Sequence, residues 1–451
     1  MGSVMVRDWL TSGAAAGPDR PAVVAGGRTV SWAELEALAD ASASRPAERH
    51  GALGGRVAGL AGPAGLGFVV AVHALWRAGA VVAPIEQGLP DTALDRARRR
   101  LEAQFLVEVG GTGDAGPEPG ARMTGPCEHP SETEALRLLT SGTTGEPSVV
   151  PLTHGNLRAS ADGAVAVLGE QALARWLCVL PLHHVGGLAT LTRSAVGGGC
   201  VEVHPRFDAV AASAALDAGV SGVSLVAATL QRLLDAGAPL DRPRVLLVGG
   251  GPVPAALLHA VREQGGRVAH TWGMTETGSM VAVSDPADPA PAGVAGRPIA
   301  GAEVRVEEGE LLVRGPMVSP SALDADGWLR TGDRGERLDD GRVRVRGRLD
   351  ELIISGGENV SPEAVEEALR AAAGVADATV IGVPDPEWGS AVVAFIEADP
   401  AEWPEPDALR AHCAKRLPRH HVPKRIEIVA ALPRTSTGKV ARSRLPRGTD
   451  I

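Results

Sequence analysis

Short apolar runs with strand character alternate with helical stretches along much of this chain, and that rhythm leaves few folds open. Arg56 to Leu60 reads as a strand, Phe68 to Arg77 as a helix, and Ala80 to Pro84 as a second strand. The alternation resumes with Leu177 to Leu180, Leu188 to Ser194 and Val201 to His204. It continues through Val223 to Ala227, Leu230 to Ala236, Val245 to Val248 and Pro254 to Glu263. Strands separated by helices join into mostly parallel sheets flanked by helices, so the expected class is α/β. Ser31-Trp32-Ala33-Glu34 is a capping box, with Val30 and Leu35 placed as a hydrophobic staple, and it should start an earlier helix. Pro- and Gly-rich stretches at Gly110 to Gly120 and Asp285 to Pro298 read as surface loops.

From Ala302 to Gly347 the pattern changes to short β segments with turn residues, a β subdomain of the larger unit. A new unit begins near Asp350. Ser361 is placed as an N-cap, Pro362 at the first helical position, and Glu363 where it favours the helix dipole. Val365 and Leu369 give that helix an apolar face. Strands at Ala378 to Val383 and Val392 to Glu397 and a helix from Asp407 to Leu417 complete a small α+β domain. A chain of 451 residues is too long for one core. The expected division is residues 1–349 and 350–451.

The net charge of −10 comes without any block of basic residues, which argues against nucleic acid as the main partner. An anionic substrate must therefore be held by local donors. Cys127, Cys178, Cys200 and Cys413 are scattered without metal or redox spacing and read as small buried hydrophobes in a reducing compartment. The N-terminal stretch MGSVMVRDWL lacks the apolar core of a signal peptide. The most apolar stretch, Gly67 to Pro84, is broken by His73 and Arg77 and reads as a core helix rather than a membrane span. The expectation is a cytoplasmic protein with no membrane span.

Several short blocks carry chemistry. LLTSGTTGEPS contains Thr140, Ser141, Gly142, Thr143 and Thr144, a loop whose glycines let backbone N–H groups approach phosphate while its hydroxyls donate without adding charge. Ser/Thr/Gly turns are common, so the loop alone leaves a plain turn open. TWGMTETG follows at Thr271 to Gly278, WLRTGD at Trp328 to Asp333, GRLDELIISGGENVSPE at Gly347 to Glu363, and PRTSTGK ends at Lys439.

In this order the blocks resemble the adenylate-forming superfamily of acyl-CoA synthetases, peptide-synthetase adenylation domains and luciferases, from about Trp9 to Leu445. The resemblance implies a large N-terminal α/β domain and a small mobile C-terminal domain. It implies ATP, Mg²⁺ and coenzyme A as cofactors or substrates. Thr140 to Thr144 would cradle the β- and γ-phosphates. Thr275 would reach the α-phosphate, and Glu276 would hold Mg²⁺, which favours oxygen ligands. Trp272 would stack on adenine, with core packing as the competing reading. Gly249, Gly250 and Gly251 would form the adenine-edge loop, or simply a strand-to-helix turn. Asp333 and Arg348 would hold the ribose, and Asp350 would be the hinge, with a solvated linker charge as the rival reading. Lys439 would stand between the attacking carboxylate and the α-phosphate. Gly356 and Gly357 would face the thiol after the small domain rotates.

One residue departs from the family pattern. Ser148 stands where the superfamily usually has a lysine, and Glu146 adds a negative charge nearby. ATP binding should then lean on magnesium and hydroxyls, with a relatively high Michaelis constant.

IISGGENVSPEAVEEAL resembles the coenzyme A ligases more than the peptide-synthetase domains. The acid pocket should be lined by PLHHVGGLATLTRS, with His184 on the family's pocket histidine. The PLxHVGGL and RFD pattern is most similar to the o-succinylbenzoate–CoA ligase family of menaquinone synthesis. That acid is a dianion, and Arg193 is a candidate donor for its second carboxylate. A structural ion pair at Arg193 stays open. So do an aryl or medium-chain acid loaded onto coenzyme A or a carrier protein, and an impaired nucleotide-binding regulatory protein. Oligomeric state is not legible in the sequence.

Overall fold

In the computed structural model, residues 4–110, 128–140, 148–288, 290–398, 403–435 and 438–446 are described, without the side chains of 44–48. Ser141, Gly142, Thr143, Thr144, Glu146, Cys127 and most of the Gly110 to Gly120 stretch lie outside the described residues.

The helix-and-strand alternation becomes two layered sheets. Among the described residues a five-stranded sheet runs in the order Phe105–Glu108, Val57–Ala61, Val81–Pro84, Glu134–Thr140, Ser148–Thr153. Only its last pair is antiparallel. The larger sheet has thirteen strands, and its parallel part runs through Pro21–Ala25, Cys200–Val203, Arg175–Cys178, Gly222–Leu225, Val245–Val248 and Val268–Met274. Val245 to Val248, the run VLLV, is buried at every position, as a strand covered on both faces must be. Beyond Val268–Met274 the sheet turns antiparallel, passing Ser279–Val283 and Val294–Pro298 to the β subdomain.

The capping box at Ser31 forms as expected: the Glu34 carboxylate accepts from Ser31 N at 2.8 Å and Ser31 Oγ from Glu34 N at 3.2 Å. The apolar stretch is the helix Leu66–Arg77, with His73 and Arg77 both buried. Arg77 is ion-paired to Asp8, Glu36 and Asp40, and burial pulls the His73 imidazole down to about 4 so that it stays neutral. Among the described residues no helix is long and apolar enough to cross a membrane. Cys178, Cys200 and Cys413 are buried and unpaired.

Two local expectations need correction. Residues 294–298, read as part of a loop, form a strand whose first three residues are buried. Gly296 makes this possible: at φ +89° a side chain there would lie 2.1 Å from the Val283 carbonyl oxygen. The Gly and Pro content marked a close backbone approach rather than a loop. Ser361 does occupy the N-cap of Pro362–Arg370, but its hydroxyl donates to Glu363 at 2.8 Å instead of accepting from the helix backbone.

Residues beyond 350 build their own interior. Strands Val375–Asp385, Gly389–Ala398 and Arg425–Val429 form one sheet, and Ile353–Ser355 pairs with Glu358–Val360 as a hairpin. Val365, Leu369, Val380, Val392, Ile396 and Leu409 pack there without residues from the larger unit.

Candidate active site

Open parallel sheets present their strand ends and connecting loops as a crevice, and ligands bind outside the C-terminal ends of the strands. Four predicted segments meet at that edge here. Gly249 to Gly251 follow Val245–Val248, and Thr275 and Glu276 follow Val268–Met274. His184 lies between Arg175–Cys178 and the helix Val185–Gly197, which it caps. The Lys439 loop, from the far end of the chain, closes over them. A side chain on Gly250, at φ +80°, would come within 3.5 Å of Lys439 Cε, and one on Gly438 within 3.5 Å of Val226.

Lys439 is enclosed by charge of both signs. Burial pulls its ammonium below the usual lysine range, Asp333 and Glu351 counter that pull, and Arg348 adds to it. His184 is pulled down to about 4, chiefly by burial and then by the neighbouring His183. The two rings are 4.3 Å apart, and His183 is itself held down to about 4 by burial. Both imidazoles are therefore neutral at physiological pH, suited to lining a pocket rather than neutralising an anion.

Asp333 and Arg348 face each other across Leu329–Arg337 and Val343–Arg348. Arg348 Nη1 donates to Asp333 Oδ1 at 3.1 Å and to the Thr331 carbonyl at 2.7 Å, while Nε donates to Asp350 at 3.0 Å. The indole N–H of Trp272 donates to Asp333 Oδ2 at 2.7 Å. Each Asp333 oxygen thus has one fixed donor and a lone pair to spare, an arrangement that can accept from vicinal hydroxyls. Trp272 is only 7% exposed and packs into the core behind the strand. Its core packing and its grip on Asp333 are two uses of one ring.

Glycine shapes the Thr275–Glu276 turn. A side chain on Gly273 would lie 1.9 Å from the Ser279 carbonyl oxygen, at a register shift between Trp272 and Gly273. The turn is tied down where Ser319 N donates to the Glu276 carbonyl at 2.7 Å. The Glu276 carboxylate is half-buried and has no partner among the described residues. A hard cation such as Mg²⁺ fits a carboxylate left free beside a threonine hydroxyl, with phosphate oxygens completing its shell.

Thr140 and Ser148 pair where the strands Glu134–Thr140 and Ser148–Thr153 are joined, at the two ends of the segment expected to cradle phosphate. A lysine at 148 would stand at the foot of that loop. Ser148→Lys is expected to lower the Michaelis constant for ATP about tenfold, the value of one charge-assisted hydrogen bond. Initial rates against ATP concentration check this, and an unchanged constant would contradict it.

Arg193 lies on Val185–Gly197 and is 3% exposed. Its Nε donates to the Ala189 carbonyl at 3.0 Å and its Nη2 to Ser224 Oγ at 3.5 Å. Its guanidinium lies 5.3 Å from the Trp176 ring centroid. Nη1 has no partner, and among the described residues no carboxylate pairs with Arg193. Burial pulls the guanidinium down to about 10. The ion pair left open above is not formed among the described residues. Sequence reasoning missed Ser224 and Trp176, whose indole N–H donates to Ser224 Oγ at 3.0 Å. Neither residue sits in a motif, and only the parallel pairing of Trp176 with Gly222 brings them together.

Gly356 and Gly357 are not brought to these strand ends. They turn the Ile353–Ser355 and Glu358–Val360 hairpin at φ +61° and +83°. Gly356 N donates to the Trp388 carbonyl at 2.9 Å, and Lys424 Nζ stands 3.9 Å from the Trp388 ring centroid.

Comparison with known proteins bears on the family and the fold. The family model for AMP-binding enzymes matches residues 10–321, and that for the AMP-binding enzyme C-terminal domain matches 364–439. The chain is 35% identical to a 2-succinylbenzoate–CoA ligase of Geobacillus kaustophilus, over 98% of this chain and 97% of the relative. It is 33% identical to that of Bacillus licheniformis over 97% and 99%. Among solved structures, o-succinylbenzoate CoA synthetase of Bacillus subtilis with its acyl-adenylate intermediate superposes with a TM-score of 0.87 at 29% identity, covering 98% of each chain. ATP-bound MatB of Rhodopseudomonas palustris, at 24% identity, shares the fold with a TM-score of 0.88 over 96% of this chain and 97% of its own.

Proposed function

We propose that this chain, which belongs to the AMP-binding enzyme family, activates o-succinylbenzoate with ATP and passes the acyl group to coenzyme A. It is an AMP-forming acid–thiol ligase. The observation that carries the choice of acid is Arg193. A buried guanidinium without a carboxylate is costly to fold, and the cost is recovered when a ligand brings the missing anion. A second carboxylate on the acid would meet Nη1, with the Ser224 hydroxyl alongside. The names of the relatives support the same acid.

The chemistry follows from the strand-end groups. A carboxylate oxygen of the acid attacks the α-phosphorus of ATP and pyrophosphate leaves. Lys439 lies between the two anions and stabilises the charge that develops as they meet. Asp333, fixed by Trp272 and Arg348, accepts from the ribose hydroxyls. Thr140 and Thr275 donate to phosphate, and Gly250 leaves room for the base. Glu276 would hold Mg²⁺, which supplies charge neutralisation on the phosphates. The thiolate of coenzyme A then attacks the acyl carbon and AMP leaves.

Both steps cannot use one arrangement, because Lys439 fills the place the thiol needs. Residues 350–451 therefore rotate about Asp350 against residues 1–349, withdrawing Lys439 and bringing Gly356 and Gly357 in. The separate core beyond 350 supports such a rigid motion. We place the reaction in the cytoplasm, where ATP and coenzyme A are at hand, as one step of menaquinone synthesis.

The test is pyrophosphate release with o-succinylbenzoate, with and without coenzyme A, beside a panel of monocarboxylic aryl and alkyl acids. Turnover confined to o-succinylbenzoate and stimulated by coenzyme A is the expected result. Turnover on another acid alone would keep the reaction class and discard the substrate.

A further inference from the structure

Lys439 sits in a tight hairpin held by more ionic contact than a surface turn needs. Thr435 N donates to the Lys439 carbonyl at 2.8 Å, Gly438 N to the Thr435 carbonyl at 2.9 Å, and Ala441 N to the Pro433 carbonyl at 2.7 Å. Arg434 and Val440 form an isolated bridge across it. An arginine stands on each side. Arg434 donates to the Gly438 carbonyl at 3.3 Å and to Asp377 at 2.8 Å. Arg442 donates through Nη2 to Glu366 at 2.7 Å, through Nε to Thr379 Oγ1 at 3.3 Å, and through Nη1 to Glu351. Glu351 directly follows Asp350, whose carboxylate accepts from Arg348. Paired charges thus run from the ribose site, through the hinge, to the catalytic hairpin.

We propose that the Arg442–Glu351 ion pair is a positioning device that ties the Lys439 hairpin to the first residue beyond the hinge. Lys439 then enters and leaves the cleft with the hinge, not through independent motion of its own loop. The proposal rests on the roles given above to Lys439 and Asp350. A loop near a chain end tends to fray, and a misplacement of one ångström at a reacting group costs orders of magnitude in rate. Arg442 suits the task because its planar fork sends separate nitrogens to two carboxylates in a fixed geometry, where a lysine offers only one ammonium nitrogen. The Glu366 end is 3% exposed and also accepts from Arg370, Thr379 and Val380 N. Removing Arg442 therefore leaves Glu366 with partners, and the domain keeps its core. The loss falls on the Glu351 link.

The experiment compares Arg442→Ala, Arg442→Lys and Lys439→Ala in two assays: ATP–pyrophosphate exchange with o-succinylbenzoate, and thioester formation from preformed o-succinylbenzoyl adenylate and coenzyme A. Arg442→Ala is expected to slow exchange about 100-fold with little change in either Michaelis constant, and to leave thioester formation within about twofold. Arg442→Lys should fall between. Hydrogen exchange, which needs no substrate, should show the amides of residues 438–441 losing protection while those of Gly389–Ala398 keep theirs. Unchanged pyrophosphate exchange, an equal loss in both assays, or unchanged protection at 438–441 overturns the proposal. If Lys439→Ala leaves pyrophosphate exchange intact, the role of Lys439 fails and this proposal with it. If Lys439→Ala stops exchange and Arg442→Ala does not, the ion pair alone is overturned.

Discussion

Lys439→Ala is expected to lower acyl-adenylate formation about 1,000-fold and to leave thioester formation from preformed adenylate close to wild type. The magnitude is that of removing one preorganised donor from a developing charge, about 4 kcal/mol at its upper end. The selectivity follows from the geometry. Lys439 lies over Gly250 and faces Asp333, where the first pair of anions is proposed to meet, while Gly356, an expected thiol-facing group, lies against Trp388. Single-turnover release of pyrophosphate measures the first step, and mixing synthetic adenylate with coenzyme A measures the second. Loss of both steps in a folded variant would contradict the assignment.

The second large effect has opposite signs on activity and stability. Arg193→Met is expected to reduce kcat/KM for o-succinylbenzoate by about 100- to 1,000-fold, the usual consequence of stripping a buried charge from its ligand partner. The same change should leave the ligand-free melting temperature unchanged or higher, because it removes a buried guanidinium that no carboxylate among the described residues compensates. Monocarboxylic acids should lose far less. Kinetics on both kinds of acid, together with thermal denaturation, check the pattern. A lowered melting temperature with equal losses on all acids would make Arg193 a structural residue.

Much of this was legible because it is local. The strand Val245–Val248 and the helix Leu66–Arg77 follow from runs of apolar residues, and the start at Ser31 from a capping box. Thr275, Glu276, Asp333, Arg348 and Lys439 stand in short blocks whose residue types already limit their chemistry. The strand at 294–298 was misread because glycine and proline mark a loop and a close strand contact alike.

What spacing cannot convey is the partner of a side chain across the fold. Trp272 and Asp333 are 61 positions apart, and Arg442 and Glu351 are 91 apart. That no carboxylate among the described residues pairs with Arg193 is a property of a whole neighbourhood, visible only once helix Val185–Gly197 is packed against strand Gly222–Leu225. The sequence by itself determined the α/β class and the reaction type and nominated the reactive groups, because short-range pattern and residue chemistry are enough for those. Tertiary structure alone decided that Lys439 lies over Gly250, that Arg193 Nη1 is buried with no partner among the described residues, and that Arg442 reaches Glu351. Burial and long-range pairing set the energy of a charge, and neither exists until the chain has folded.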